Sequence, residues 1–350
     1  MPAQIQPVYA PAEDRFDRMQ YRRVGTSGLK LPAISLGTWH NFGDDTPLQR
    51  QRELLRHAFD LGITHFDLAN GYGPPAGSTE KNVGRILAED FAGLRQQLII
   101  SSKAGYPFVP GPNGTGGGRK TLLDSLDISL ESLRLDYVDI FYSHRFDPET
   151  PIEETASALD EAVRSGRARY IGISSYSAER TRQIAAEMRR LGTPLLIHQP
   201  SYSMLNRWIE EGEPSLLETT AAEGVGVIAF SGLAQGLLTN KYLDGVPEGS
   251  RATQGKTLRD GMLSDENLER VRALNAIAER RGQTLAQLAL TWVLRDERIT
   301  SALIGASRPE QLDDTVRCLQ STPLTDAELA EIDEHAQDGG LNIWAASSEG

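Results

Sequence analysis

One cysteine, Cys318, stands in 350 residues, so no intrachain disulfide can form and a reducing compartment, the cytoplasm, is the expected home. Its plain reading is a small buried apolar side chain. Basic charge is in deficit: 36 Lys and Arg against 48 Asp and Glu leave a formal net charge of -12. Nucleic acid and anionic membrane both call for a basic face, so neither is expected as a partner. No apolar run approaches the roughly 20 residues of a membrane span. The opening MPAQIQPVYAPAEDRFDRMQ lacks the apolar stretch of a signal peptide, and residues 1–20 read as a loose N-terminal tail. A linker rich in Pro, Ser or charge is also missing, which makes 21–350 a single domain.

Glycine is plentiful, yet no complete nucleotide fingerprint results. PGPNGTGGGRKT, from Pro110 to Thr121, places Gly114 and Lys120 as a phosphate-cradling G-x-x-x-x-G-K-[ST] loop would. Arg119 stands where the second glycine must be, and its side chain would crowd the turn. GYGPPA at Gly71 and GVGVIA at Gly224 fit G-x-G-x-x-[GA] only loosely. Pro74 and Pro75 remove N–H donors from the first, and the second precedes its strand where a dinucleotide fold needs it to follow.

Short β-rich runs alternate with longer segments of helical period. Eight runs stand out: AISLGTW, ITHFDLA, QLIISSK, YVDIFYSH, ARYIGISS, LLIHQPSY, GVGVIAFSG and SALIGAS. Between them lie helix candidates such as LQRQRELLRHAFDLG, KTLLDSLDISLESLRL, IEETASALDEAVRSG, SAERTRQIAAEMRRLG and PEQLDDTVRCLQ. Eight strands too apolar to carry a wet face predict an α/β fold of the (β/α)8 barrel kind. An open doubly wound sheet is the alternative. The polar, glycine-rich stretch from about Asn240 to Asn267 reads as a long loop over the barrel mouth. TDAELAEIDEHAQDGG and LNIWAASSEG read as an added C-terminal helix and tail.

In such a barrel the chemistry sits where strands end. ITHFDLA carries Asp67 near its end with Tyr72 just after, QLIISSK ends on Lys103, and YVDIFYSH ends on His144. Each alone has a structural reading. Together they suit protonation of a carbonyl oxygen while a hydride reaches its carbon. The ammonium of Lys103 is expected to lower the Tyr72 phenol from its usual pKa of about 10. Asp67 keeps that lysine charged, and His144 orients the carbonyl. No side chain donates hydride, so a nicotinamide cofactor is implied.

GITHFDLANGYG, IISSKAG, YVDIFYSHRFDP, GISSYS, IHQPSYS, AFSGLAQGLL and IGASRPEQL, in this order and spacing, resemble the aldo-keto reductases, NADPH-dependent (β/α)8 enzymes. The likeness runs from about Tyr21 to the C-terminus. HNFGD, FYSHR and LNRW resemble the branch holding bacterial L-glyceraldehyde 3-phosphate reductase and the potassium-channel β-subunits. The resemblance implies Tyr72 as general acid, Asp67 and Lys103 as its tuning pair and His144 as the substrate-orienting residue. It further implies Thr38 and Trp39 at the nicotinamide end, with Ser174, Ser175 and Gln199 on the carboxamide. Phe230 would stack on the nicotinamide, and Ser231, Gly232, Leu233, Ala234 and Gly236 would wrap the pyrophosphate. Lys241 and Arg251 would clamp phosphates, and Gly305, Ser307, Arg308, Gln311, Asp314 and Thr315 would form the adenosine end. Two departures are visible: Gly232 and Thr315 stand where close relatives usually carry Pro and Asn.

The expected activity is NADPH-dependent reduction of small aldehydes, such as L-glyceraldehyde 3-phosphate or methylglyoxal, by a homo-oligomer of tetramer or octamer size. A phosphorylated substrate makes Arg119 and Lys120 one anion site to consider, at the end of a glycine-rich flap. Two other readings compete. One is an NADPH-sensing regulatory subunit of the channel type, which commonly carries Asn where His144 stands. The other makes Lys103 a Schiff-base nucleophile.

Overall fold

The computed structural model describes residues 9–243 and 262–349. Two short strands, β1 (Tyr21–Arg23) and β2 (Lys30–Pro32), pair antiparallel ahead of the barrel. Each of the eight apolar runs then supplies one strand: β3 (Ile34–Gly37), β4 (His65–Asp67), β5 (Ile99–Ala104), β6 (Val138–Ser143), β7 (Ala168–Ser174), β8 (Ile197–Gln199), β9 (Gly226–Phe230) and β10 (Ile299–Ile304). They pair in parallel, and β10 closes on β3 to complete the barrel. All six residues of β6 are buried, as both faces of a helix-covered parallel sheet must be.

Helices fill the crossovers: α1 (Leu48–Asp60), α2 (Ser78–Asp90), α3 (Arg119–Leu133), α4 (Ile152–Arg164), α5 (Ala178–Leu191) and α6 (Leu216–Glu223). Beyond β9 come α7 (Asp265–Arg280) and α8 (Leu285–Val293), then α9 (Pro309–Val316), α10 (Asp326–His335) and the short α11 (Ala346–Glu349). The signals that bound them are local. Ser215 and Glu218 close a reciprocal cap on α6, Thr325 and Glu328 do so on α10, and α5 stops at Gly192 in the left-handed region. The last residues of the expected mouth loop, from Asp265, already belong to α7, and its residues 244–261 lie outside the described residues. Arg251 lies outside the described residues.

The bottom of the barrel is plugged by the β1–β2 hairpin, whose Val24 and Leu31 pack on Ile140, Ile197 and Ile228. Gly226 makes this fit possible, since a Cβ there would lie 2.5 Å from Val24 Cγ1. The N-terminal segment is not loose where it is described. Tyr9 donates its hydroxyl to Asp60 Oδ1 at 2.8 Å and packs at a tilt of 60° against Phe91 with centroids 5.2 Å apart, and Arg15 is buried with a bond to Gln97 Oε1. One half-buried aromatic ring and one buried guanidinium tie down a stretch whose composition carries no periodic signal.

Candidate active site

The parallel register brings three strand ends to one level at the C-terminal mouth. Asp67 stands opposite Ser101 on β5, and Lys103 opposite Tyr142 on β6. Tyr72 follows β4 and His144 follows β6, and both line a cavity of about 800 Å³. Lys103 is wholly buried. Its Nζ forms an ion pair with Asp67 Oδ2, donates to the Leu68 carbonyl at 2.8 Å and donates to the Tyr72 hydroxyl at 3.3 Å. Asp67 Oδ1 accepts from Ser101 Oγ at 2.6 Å and from Gln199 Nε2 at 3.2 Å. The His144 ring stands edge-on to Tyr72, centroids 5.9 Å apart, and edge-on to Tyr106 at 4.7 Å.

Burial dominates the electrostatics. It raises the Tyr72 phenol well above its ordinary range, and the charge of Asp67 and the neighbouring Tyr106 push the same way. The expectation of a lowered pKa is therefore corrected: the net direction is upward, because desolvation leads and Asp67 and Tyr106 add to it, and Tyr72 keeps its proton. Lys103 itself is lowered by desolvation, against the pull of Asp67 and then Glu80. Desolvation, then Lys103 and Arg145, hold His144 well below the usual imidazole value, so its ring is neutral.

The cavity wall carries most of the expected cofactor residues. Trp39, Asp67, Ser174, Ser175 and Gln199 line it at one end; Phe230, Ser231, Gly232, Leu233, Gly236 and Lys241 follow, and Gly305, Ser307 and Gln311 complete the other. Others stand off the wall. Thr38 is buried and donates its hydroxyl to the Asp67 carbonyl, and Ala234 is buried within the turn that follows β9. Arg308 forms the N-cap of α9 without lining the cavity. Asp314 accepts from Thr284 and Gln287 of the α8 cap, and Thr315 returns its hydroxyl to Gln311 O at 2.6 Å.

Arg119 and Lys120 are not at the cavity either. Arg119 donates to Ser157 on α4 and pairs with Glu161 at 3.6 Å, while Lys120 pairs with Asp124 one turn along its own helix. The α3 N-terminus is already occupied, because Glu154 accepts from Arg119 N and Asp147 from Gly117 N. The glycines before it serve close packing: a Cβ on Gly114 would lie 1.8 Å from the Val109 carbonyl oxygen.

Several wall residues were not read from the sequence. Asn70 is 1% exposed and lines the cavity, yet neither end of its amide finds a partner among the described residues. Gln235 is in the same position, in a left-handed backbone at φ 58°. Ser231, Ala234 and Gly236 share that region of φ, a strained turn costing on the order of 1 kcal/mol per non-glycine residue. Two amides on the cavity wall with buried, unpartnered atoms, one of them within such a turn, are what a bound polar ligand would satisfy. Asn70 lay within a motif already singled out, three residues beyond Asp67. Ile343, Trp344 and Ser347 had no such signal; the tail crosses the mouth, with Gly339 N–H bonded to Leu205 O and Ser177 N–H to Ser348 O.

The chain belongs to the aldo/keto reductase family, whose model matches residues 33–337, and it is an oxidoreductase. The L-glyceraldehyde 3-phosphate reductase of Escherichia coli K12 is 57% identical over 346 residues, covering 98% of this chain and 99% of that protein. A putative voltage-gated potassium channel subunit beta of Schizosaccharomyces pombe is 36% identical, over 90% of this chain and 92% of its own. Among solved structures, an aldo-keto reductase from Bacillus halodurans in its holo form has a TM-score of 0.72 at 27% identity, covering 91% of this chain and 96% of the other. Aldo-keto reductases use NAD(P)H. Among the described residues no helix is long and apolar enough to cross a membrane.

Proposed function

We propose that this enzyme reduces small aldehydes, among them L-glyceraldehyde 3-phosphate and methylglyoxal, to alcohols with NADPH, and that Tyr72 is the general acid. The observation that carries the reading is the hydroxyl of the half-buried Tyr72, 3.3 Å from Lys103 Nζ, on the wall of the mouth cavity. The donor set fits a dinucleotide. Gln199 commits Nε2 to Asp67 and leaves Oε1 to accept from a carboxamide, while Ser174 donates to Gln199 O at 2.7 Å and keeps its lone pairs. Ser307 and Gln311 line the far end beside the α9 N-terminus, where N–H groups and dipole favour an anion. Bound NADPH supplies the hydride.

The protein's part is proton delivery and orientation. Tyr72, protonated by default, donates to the oxygen that gains charge, and Lys103 stabilises the phenolate as it forms. Neutral His144 donates one N–H to the same oxygen. Lys103 uses all three ammonium protons, on Asp67, Leu68 O and Tyr72, which leaves no lone pair for a Schiff base. An intact His144 also favours turnover over a purely sensing role. The enzyme is read as a cytoplasmic homo-oligomer, tetramer or octamer. The test is a panel of phosphorylated and plain aldehydes with NADPH and NADH, run on the native enzyme and on Tyr72→Phe. Turnover in the variant should fall by about a hundredfold or more while NADPH affinity is kept. Unaltered reduction would remove Tyr72 from the chemistry.

A further inference from the structure

Below the mouth, the barrel interior carries polar side chains where branched apolar ones ordinarily fill the layers. Ser35 on β3, His65 on β4, Ser101 on β5 and Ser301 on β10 are all fully buried. They form one hydrogen-bonded line. Ser301 Oγ lies 2.7 Å from Ser35 Oγ, which lies 3.0 Å from His65 Nδ1; His65 Nε2 lies 3.0 Å from Ser101 Oγ, which donates to Asp67 Oδ1 at 2.6 Å.

The direction of every proton in this line follows from its end. A carboxylate only accepts, so Ser101 spends its proton on Asp67 and must accept from His65 Nε2. Burial holds His65 neutral, with a pKa of about 4, against the charge of Asp67 and with that of Lys103. A neutral imidazole with Nε2–H accepts at Nδ1, so Ser35 donates there and receives from Ser301 in turn. All dipoles then point their positive ends at Asp67 Oδ1. Such a chain polarises each successive bond. It reaches no solvent, so it orients and does not conduct protons.

We infer that His65 is a positioning residue for the reduction: as the Nε2–H tautomer it turns the Ser101 hydroxyl onto Asp67 Oδ1, leaving Oδ2 to hold Lys103 under Tyr72. This rests on the reading of Tyr72, Lys103 and Asp67 given above. Four groups buried without alternative partners, in line across four strands, would be costly to keep if apolar side chains served equally well.

The test has an arm independent of activity. In protein labelled with 15N-histidine, the resonances lost in His65→Gln identify His65, and a neutral Nε2–H tautomer at neutral pH is expected. An Nδ1–H tautomer or a charged ring would overturn the inference. In kinetics, His65→Leu should lower kcat about tenfold with the aldehyde KM within about twofold, while His65→Gln, whose amide both donates and accepts, should restore kcat to within about threefold. Ser101→Ala should lose as much alone, and His65→Leu should add little on top of it. Additive losses, or a folded His65→Leu with native kcat, would refute the role; if His65→Leu does not fold, Ser101→Ala and the tautomer decide. Tyr72→Phe run alongside separates the two failures, since native turnover there condemns the tyrosine assignment and leaves the tautomer result standing.

Discussion

The indole of Trp344 stands edge-on to the ring of Phe230, centroids 4.7 Å apart at 85°, and so joins the C-terminal tail to the cavity wall. It also meets Trp39 at 6.4 Å, and Ser347 reaches the Tyr106 hydroxyl at 3.1 Å. The tail thus encloses the space in front of Tyr72. Trp344→Ala removes part of an apolar wall, worth about 1 kcal/mol of contact to a small substrate. The aldehyde KM is expected to rise about fivefold with kcat within about twofold, read by steady-state kinetics. A loss confined to kcat would mean that the indole supports the chemistry and not the enclosure.

The titration directions set the pH profile of the free enzyme. Tyr72 is raised, so its acid form persists above its ordinary range; His144 is lowered, so its neutral form persists below about 6.5. Neither group changes charge between about pH 6 and 8, and in Glu80→Gln, which lacks the buried carboxyl raised into that span beside Lys103, kcat/KM for reduction should vary by no more than about twofold across it. Loss of activity with a midpoint near 6.5 that disappears in His144→Gln would show that the imidazole does titrate there.

Glu80 on α2 is fully buried beside the lysine, and desolvation raises its pKa from 4.5 to about 7, against bonds from Ser102 and Ser129 and the charge of Lys103. A raised carboxyl keeps its proton in the folded state after the unfolded chain has released it. Stability is therefore lost as pH rises from about 4.5 to 7 and is level above, by about 3 kcal/mol in total. Glu80→Gln removes this slope. Denaturant melts of the two proteins should give a stability difference that moves in the variant's favour by about 3 kcal/mol from pH 4.5 to pH 8. Parallel curves would place the titration elsewhere.

Arg119 and Lys120 face acids and Ser157 rather than the cavity. The Arg119→Ala, Lys120→Ala double variant should keep kcat/KM within about twofold for glyceraldehyde 3-phosphate and for glyceraldehyde alike. Its stability should fall by no more than about 1 kcal/mol, as for exposed ion pairs. A tenfold loss confined to the phosphorylated substrate would restore the anion site.

How far the sequence reaches depends on the range of the force involved. Strand and helix are written in local period and caps, so six of the eight barrel strands fall within the runs read beforehand, β5 and β10 overrun theirs by one and two residues, and AISLGTW through SALIGAS close in chain order. That Asp67, Tyr72, Lys103 and His144 would meet at the mouth was legible because strand ends face it in such a barrel. Four things were not. The phenol of Tyr72 rises where proximity to Lys103 suggested a fall, because desolvation depends on everything packed around it. Arg119 and Lys120 turn to α4 and to their own helix, since a side chain's direction at a helix start is set by its neighbours across the crossover. The tail that brings Trp344 to Phe230, and the Ser35–His65–Ser101 line below Asp67, join residues that are distant in sequence or on separate strands. Period and propensity act over a few residues and sufficed for the barrel; burial and contact act across the closed sheet, and only the tertiary structure could decide them.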